Sequence, residues 1–531
     1  MTAPDEVIVG GRIHTLDPSA SSAQALALLQ GNVVAAGSDD KILPLAGART
    51  IITRLHGRTV LPGLIDAHLH LQHLALAMER LDCETPSLGE CLSRVAERAH
   101  ATPEGEWILG HGWNQNTWGG FPDRFALDEV APHHPVYLTA KSLHAGWANS
   151  QALTRAKLDR SSTDPLDGQL QRDAHAGLTG ILLEGAMRLV ASAVPTPSLE
   201  DVARAVASAQ PRLWEVGLTG VHDFDGPSCF AALQLLRERG ELGLRVLKSI
   251  PLEQLDAAVE LGLRSGFGDD WIRMGAVKVF ADGALGPRTA AMLEDYEGEP
   301  GNRGTLLQDR ETLFEIGRRA LPAGLALAIH AIGDRANHEV LQAFSALRRE
   351  AVAPGAAQLP SRIEHVQLLH PQDVPGLARL NLVASMQPIH ATSDMEMAQR
   401  HWGDRVRTSY AWRSLARAGT RLVFGSDAPV ESPNPFWGWH AAVTRRRQDG
   451  APGLDGWLPQ ERLDRQEALL AFTRHAAELA RLAGRQGILR PGSLADLIVL
   501  DRDPLTCPAE ELYTLRPSAT MVGGRWRYRI F

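Results

Sequence analysis

The sequence predicts an α/β fold: a (β/α)8 TIM barrel carrying a composite β-sandwich from both termini and an insertion between barrel strands 1 and 2. Three observations carry this reading. Short apolar segments recur through the middle of the chain, mostly followed by helix-like text. The two ends are written differently, as brief strands between glycine turns. Finally, histidines, a lysine and an aspartate stand at the ends of several mid-chain segments, where barrels place reactive groups.

Taken in order, residues 1–60 form the first part of the sandwich. Val7-Ile8-Val9, Ala25 to Leu29 and Val33 to Ala36 are broken by Gly10-Gly11, Gly31-Asn32 and Gly37-Ser38. Residues 481–531 resume the style with Ala495 to Leu500, Ala519 to Val522 and Trp526 to Ile530. Neither end alone buries a sheet face, so pairing them is the economical arrangement. Between them, residues 61–480 supply the barrel strands: Leu61 to His70, Leu218 to Phe224, Leu244 to Ile250, Ile272 to Phe280, Leu325 to Ile332, Arg362 to Gln367, Leu382 to Gln387 and Leu422 to Asp427. The first two lie far beyond one βα connection from each other, so residues at about 84–200 are expected to form an ordered α/β insertion.

The bulk numbers narrow the function. In 531 residues, 44% are hydrophobic and 22% charged, as in ordinary globular chains. A net charge of -8 disfavours a nucleic-acid partner. The one tight basic run, Arg445-Arg446-Arg447, reads as a helix surface. Neither a signal-like start nor a membrane-length apolar run is present, so no membrane partner and a cytoplasmic location are expected. Cys83, Cys91, Cys229 and Cys507 lack zinc spacing and read as reduced, structural thiols. Self-association into a homo-oligomer stays open.

The candidate chemistry begins with His68 and His70. Side chains two apart on a strand share a face, so both rings can reach one metal ion. Lys278, His330, His365 and Asp427 close later segments and complete a candidate ligand set. A Lys278 ammonium in an apolar run needs an answer to its burial cost, and Asp282 is the nearest acid in sequence. For substrate contacts the candidates are Arg288, Trp113, His111, His144 and Gln387, with His390 nearby.

Five stretches then carry a resemblance: Leu-Pro-Gly-Leu-Ile-Asp-Ala-His-Leu-His (61–70), Val-Lys-Val-Phe-Ala-Asp-Gly-Ala-Leu-Gly-Pro-Arg-Thr-Ala (277–290), Ile-His-Ala-Ile-Gly-Asp (329–334), Arg-Ile-Glu-His-Val-Gln (362–367) and Phe-Gly-Ser-Asp-Ala-Pro-Val-Glu-Ser-Pro (424–433). In order and content the chain resembles the amidohydrolase superfamily, specifically its amidohydrolase family 3 branch, which includes N-substituted formamide deformylases. The insertion departs from that pattern at Asn114 and at Ser142-Leu143-His144. The resemblance implies a pair of divalent metal ions, Zn2+ by ligand type with other transition ions as alternatives, and a carbamate on Lys278 that bridges them. It also implies that Asp427 binds metal and shuttles the proton. The expected enzyme is a hydrolase of non-peptide carbon–nitrogen bonds, an amidohydrolase that cleaves a small amide, N-formyl or N-acyl amine by metal-activated hydroxide. A deaminase or ester hydrolase on the same scaffold, and a catalytically silent binding protein, are the alternatives.

Overall fold

The computed structural model describes residues 2–141, 145–165, 168–350 and 359–531. The chain divides into two compact units, Met1–Leu74 with Val206–Phe531, and Ala75–Ala205. In the first, eight parallel strands run in sequence order around a barrel: β1 (Leu64–Leu69), β2 (Leu218–Asp223), β3 (Arg245–Pro251), β4 (Ile272–Phe280), β5 (Leu327–Ala331), β6 (Arg362–His365), β7 (Val383–Met386) and β8 (Arg421–Phe424). Most of their residues are buried, as expected of strands covered on both faces.

The ring is closed by the backbone just past β8. Asp427 N–H donates to His68 O at 2.7 Å and His70 N–H to Ala428 O at 2.8 Å. Buried Asp66 reinforces the seam by accepting from the backbone N–H groups of His68 and Ser426, each at 3.0 Å. A Cβ on Gly425 would fall 2.4 Å from His68 N, so the close approach requires glycine there.

The apolar run from Leu61 to His70 proves to be parts of two strands rather than one. Thr59–Pro62 pairs with Leu497–Leu500, while Leu64–Leu69 enters the barrel. Gly63 divides them, and a Cβ there would sit 2.2 Å from the Thr219 hydroxyl. The two chain ends build two sheets. One orders Asn32–Gly37, Ala25–Leu29, Glu6–Val9 and Ile51–Arg54. The other orders Arg525–Arg529, Pro517–Val522, Leu497–Leu500, Thr59–Pro62, Arg12–His14 and Ser22–Ala23. Ile8, Leu26, Val60, Leu497, Val499 and Met521 form a shared core between them.

The second unit has its own mixed sheet, in the order Gly168–Arg172, Leu178–Glu184, Ala145–Ala148, Val136–Ala140, Ile108–Trp113 and Leu81–Asp82. Its core gathers Cys83, Cys91, Val95, Trp113, Leu138 and Trp147. All four cysteines of the chain are buried and free. The basic run corrects an expectation: the helix Pro435–Thr444 ends before it, and Arg445 is fully buried, with its guanidinium 4.2 Å from the Trp412 ring. Among the described residues, no helix is long and apolar enough to cross a membrane.

Candidate metal centre

The C-terminal ends of β1, β5, β6 and β8 bring five of the expected residues together, His68, His70, His330, His365 and Asp427, with Lys278 on β4 beside them. His68, His365 and Asp427 offer ligand atoms that all lie within 4.8 Å of one another. The His68 and His365 rings are 4.9 Å apart by centroid, and His365 and His330 4.6 Å. His70 reaches the same carboxylate, its Nε2 standing 3.7 Å from Asp427 Oδ1 while His68 Nε2 stands 3.5 Å away. His365 and Asp427 hold their backbones at φ of 73° and 61°. For non-glycine residues this conformation is costly and is found most often where a site demands it.

Each ring is tied at one nitrogen. His68 Nδ1–H donates to Glu364 at 2.6 Å, His70 Nδ1–H to Asp225 at 3.1 Å, and His365 Nδ1–H to Gln387 Oε1 at 2.8 Å. This fixes the tautomer that leaves Nε2 unprotonated on all three. His330 is tied through Nε2–H to Gly283 O at 2.8 Å, which leaves Nδ1. The Nε2 of His68 is buried and has no hydrogen-bond partner. A buried, basic, unpartnered nitrogen beside a carboxylate is costly unless a cation receives its lone pair, so the donor set fits a divalent ion.

The electrostatics agree with neutral ligands. Burial, helped by Lys278, lowers the pKa of His68 to about 4 and that of His330 to about 3. Burial and His330 hold His365 well below the usual imidazole range. Burial alone would raise Asp427, but His390, His68 and His365 hold it well below the ordinary carboxylate value. His390 shows the converse. Burial opposes its charge, yet the hydrogen bonds to Asp427 and Glu431 raise its pKa to about 10. Its Nε2–H donates to Asp427 Oδ2 at 3.3 Å.

Lys278 is buried, with its nitrogen 4.5 Å from the Phe224 ring centroid and 4.9 Å from that of Phe280. Burial lowers its pKa to about 8 against the fields of Glu364 and Asp427. The acid nearest in sequence, Asp282, is otherwise engaged: its carboxylate accepts from the backbone of Ala291, Ile332 and Gly333.

The expected substrate contacts fare differently. Gln387 is buried and orients His365. Arg288 pairs with Glu299. His111 and Trp113 belong to the second unit, where His111 Nδ1 meets the Thr139 hydroxyl at 2.9 Å. Trp113, expected to wall a pocket, has no exposed surface and packs against Trp118, Phe121 and Trp147. His144 lies outside the described residues.

Sequence reasoning passed over Glu364, Asp225 and Arg362. Glu364 is fully buried, bonded to His68 on one side and ion-paired at 2.6 Å with Arg362 Nε on the other. Arg362 Nη1–H in turn donates to His222 Nδ1 at 3.0 Å. The available signal was three ionisable groups, Arg362, Glu364 and His365, within four residues of an expected buried barrel strand.

A parallel barrel that gathers imidazoles and a carboxylate at the C-terminal ends of its strands defines a metal-dependent hydrolase. Comparison with known proteins gives the particular family. The amidohydrolase family profile matches residues 52–528. Over 99% of this chain and 91% of the relative, the sequence is 33% identical to Protein LONG AFTER FAR-RED 3 of Arabidopsis thaliana. It is 30% identical to the N-substituted formamide deformylase of Arthrobacter pascens, over 99% of this chain and 98% of the relative. The crystal structure of an uncharacterized metal-dependent hydrolase from Pyrococcus furiosus superposes with a TM-score of 0.79 at 30% identity, covering 94% of this chain and all of that one. The chain belongs to the amidohydrolase family, and it is a hydrolase acting on carbon–nitrogen bonds other than peptide bonds.

Proposed function

We propose that the protein hydrolyses the carbon–nitrogen bond of a small N-formyl or N-acyl amine, using two divalent ions held by His68, His70, His330, His365 and Asp427. The observation that carries this reading is the convergence of His68, His365 and Asp427, with His68 Nε2 buried and unpartnered. The imidazole-rich set suits zinc. Similarity to the Arthrobacter pascens deformylase supports an N-formyl amine as the first substrate class. When bound, the ions supply Lewis-acid polarisation of the carbonyl and ease the deprotonation of water.

The protein's own groups handle the protons. Asp427 is held as a carboxylate by His390 and carries one oxygen toward the imidazoles, so it takes the proton of the attacking water. The same carboxyl then delivers that proton to the departing nitrogen, which leaves as an amine. Glu364, Asp225 and Gln387 keep three rings in register throughout. Lys278, with a pKa lowered to about 8, has an appreciable neutral fraction near neutrality. In that form its nitrogen could add carbon dioxide with release of one proton, and the resulting anionic carbamate would supply oxygen ligands beside the imidazoles.

The test is elemental analysis of protein prepared without chelators, together with a screen of formamides, other N-acyl amines, esters and amino-heterocycles. Two ions per chain and release of formate or another carboxylate with an amine support the reading. Ammonia release from heterocycles alone, or ester cleavage alone, would replace it.

A further inference from the structure

We infer that a cavity beside the metal centre, lined by Phe224, Pro251, Leu252, Phe280 and Leu307, is the subsite for an uncharged apolar substituent on the substrate's nitrogen. The inference rests on the N-acyl amine reading above and adds what the amine must look like. The cavity holds about 340 Å³ and adjoins the centre, because Lys278 lines it and two of its walls, Phe224 and Phe280, pack against centre imidazoles. The Phe224 ring stacks on His68, 4.1 Å between centroids and 20° between planes. Phe280 packs against His330 at 5.2 Å. A carbonyl placed at the imidazoles therefore directs its nitrogen substituent along these two rings.

Two features argue for an apolar occupant. Phe280 and Leu307 are 48% and 52% exposed, although both are large hydrophobic side chains at the mouth of a reactive centre. Apolar surface left in water at such a place is recovered when a ligand covers it. The loop bearing Leu307 is also preformed, since Leu307 N–H donates to Ala281 O at 2.7 Å and Leu306 bridges Asp282. The wall therefore stands ready without an ordering cost. Glu253 and Gln308 also line the cavity. Exposed Glu253 repels a substituent that ends in a carboxylate, so selection runs against anionic amines as well as small ones.

The experiment compares kcat/KM of the metal-loaded enzyme for N-cyclohexylformamide, N-methylformamide and N-(4-carboxybutyl)formamide. The cyclohexyl compound is expected to exceed the methyl compound by about tenfold or more, with the carboxylate compound well below the cyclohexyl one. Leu307→Ala and Phe280→Ala should each shrink the cyclohexyl-to-methyl ratio to within about threefold. Ile51→Ala, at an exposed residue of the sandwich strand Ile51–Arg54 and remote in sequence from every lining residue, should leave the ratio unchanged. If formamides are turned over with no cyclohexyl preference, or with a preference neither cavity variant alters, the subsite is overturned while the hydrolytic reading stands. If no formamide is turned over, the comparison is repeated with the corresponding N-acetyl amines, and if neither class is turned over the hydrolytic reading fails and calorimetric titration with N-cyclohexylformamide judges the cavity. Saturable binding weakened by Leu307→Ala supports it, and absent or unaffected binding overturns it.

Discussion

Asp427 and Lys278 are the two positions where a single side chain decides most. Asp427 stands 3.5 Å and 3.7 Å from two imidazole nitrogens and 3.3 Å from His390. Asp427→Asn keeps the shape and an oxygen donor but cannot accept and return a proton at the same atom. Most of the bound metal should remain while kcat falls by about 10²- to 10⁴-fold, measured by elemental analysis and initial rates on one preparation. Undiminished turnover would remove the shuttle. Lys278→Ala tests the bridge. Metal affinity should fall by about tenfold or more, and short carboxylic acids should restore part of both occupancy and rate, because they supply the missing oxygens. Full occupancy in the variant without added acid would show that no bridge is needed. The positioning carboxylates resisted prediction for a physical reason. Strand alternation alone sends Glu364 and His365 to opposite faces. The positive φ at His365 turns the chain at the end of β6 and lets both serve the same centre, and no local pattern announces that turn.

The strands themselves were far more legible, because each short apolar run between helices has one economical use in a parallel sheet. Ile272–Phe280 has the expected limits, and most of the others differ by one to three residues. The misread run was Leu61 to His70, where hydrophobicity is continuous but pairing partners change at Gly63. Partner exchange is a tertiary event, so composition could not reveal it. The seam between β1 and β8 was equally hidden, and it carries a prediction. Asp66 is buried, with its pKa raised to about 7 by burial, and it accepts from the His68 and Ser426 backbones and from the Ser426 hydroxyl. Asp66→Ala strands those donors at the one place where the ring closes. A loss of about 2–4 kcal/mol in unfolding free energy is expected, with weaker metal binding as His68 loosens. Asp66→Asn keeps one acceptor oxygen and should lose less. If Asp66→Ala unfolds at the wild-type denaturant midpoint, the carboxylate is not what holds the seam.

The whole protein should be acid-sensitive when its metal is removed, and the sign follows from which groups change protonation on unfolding. Five buried imidazoles favour the neutral form in the fold: burial lowers His68 and His440 to about 4 and His330 to about 3, and it holds His222 and His365 well below the usual range. A group with a depressed folded pKa contributes stability that is complete above its unfolded value, about 6.5, and lost as pH falls through the folded value. Five carboxyls act oppositely, since burial raises Asp66, Asp282, Asp223, Asp334 and Asp394. Burial raises Asp66 and Asp282 to about 7, so their contribution is complete below about 3.8 and lost as pH rises through 7. Burial also lowers His111, His401 and His475, so between pH 6.5 and 4 the depressed imidazoles outnumber these carboxyls and chelated protein should lose stability steadily as pH falls across that window. His440 separates this effect from metal chemistry, because it lies in the helix Pro435–Thr444 with a buried Nδ1 that has no partner. His440→Gln should flatten the pH dependence by up to about 1.4 kcal/mol per pH unit, one proton's worth, in chemical-denaturation midpoints taken across the window. Stability that is level or rising toward pH 4 in the chelated wild type would mean that the buried carboxyls outweigh the imidazoles, and that the barrel tolerates charge at its centre far better than its burial implies.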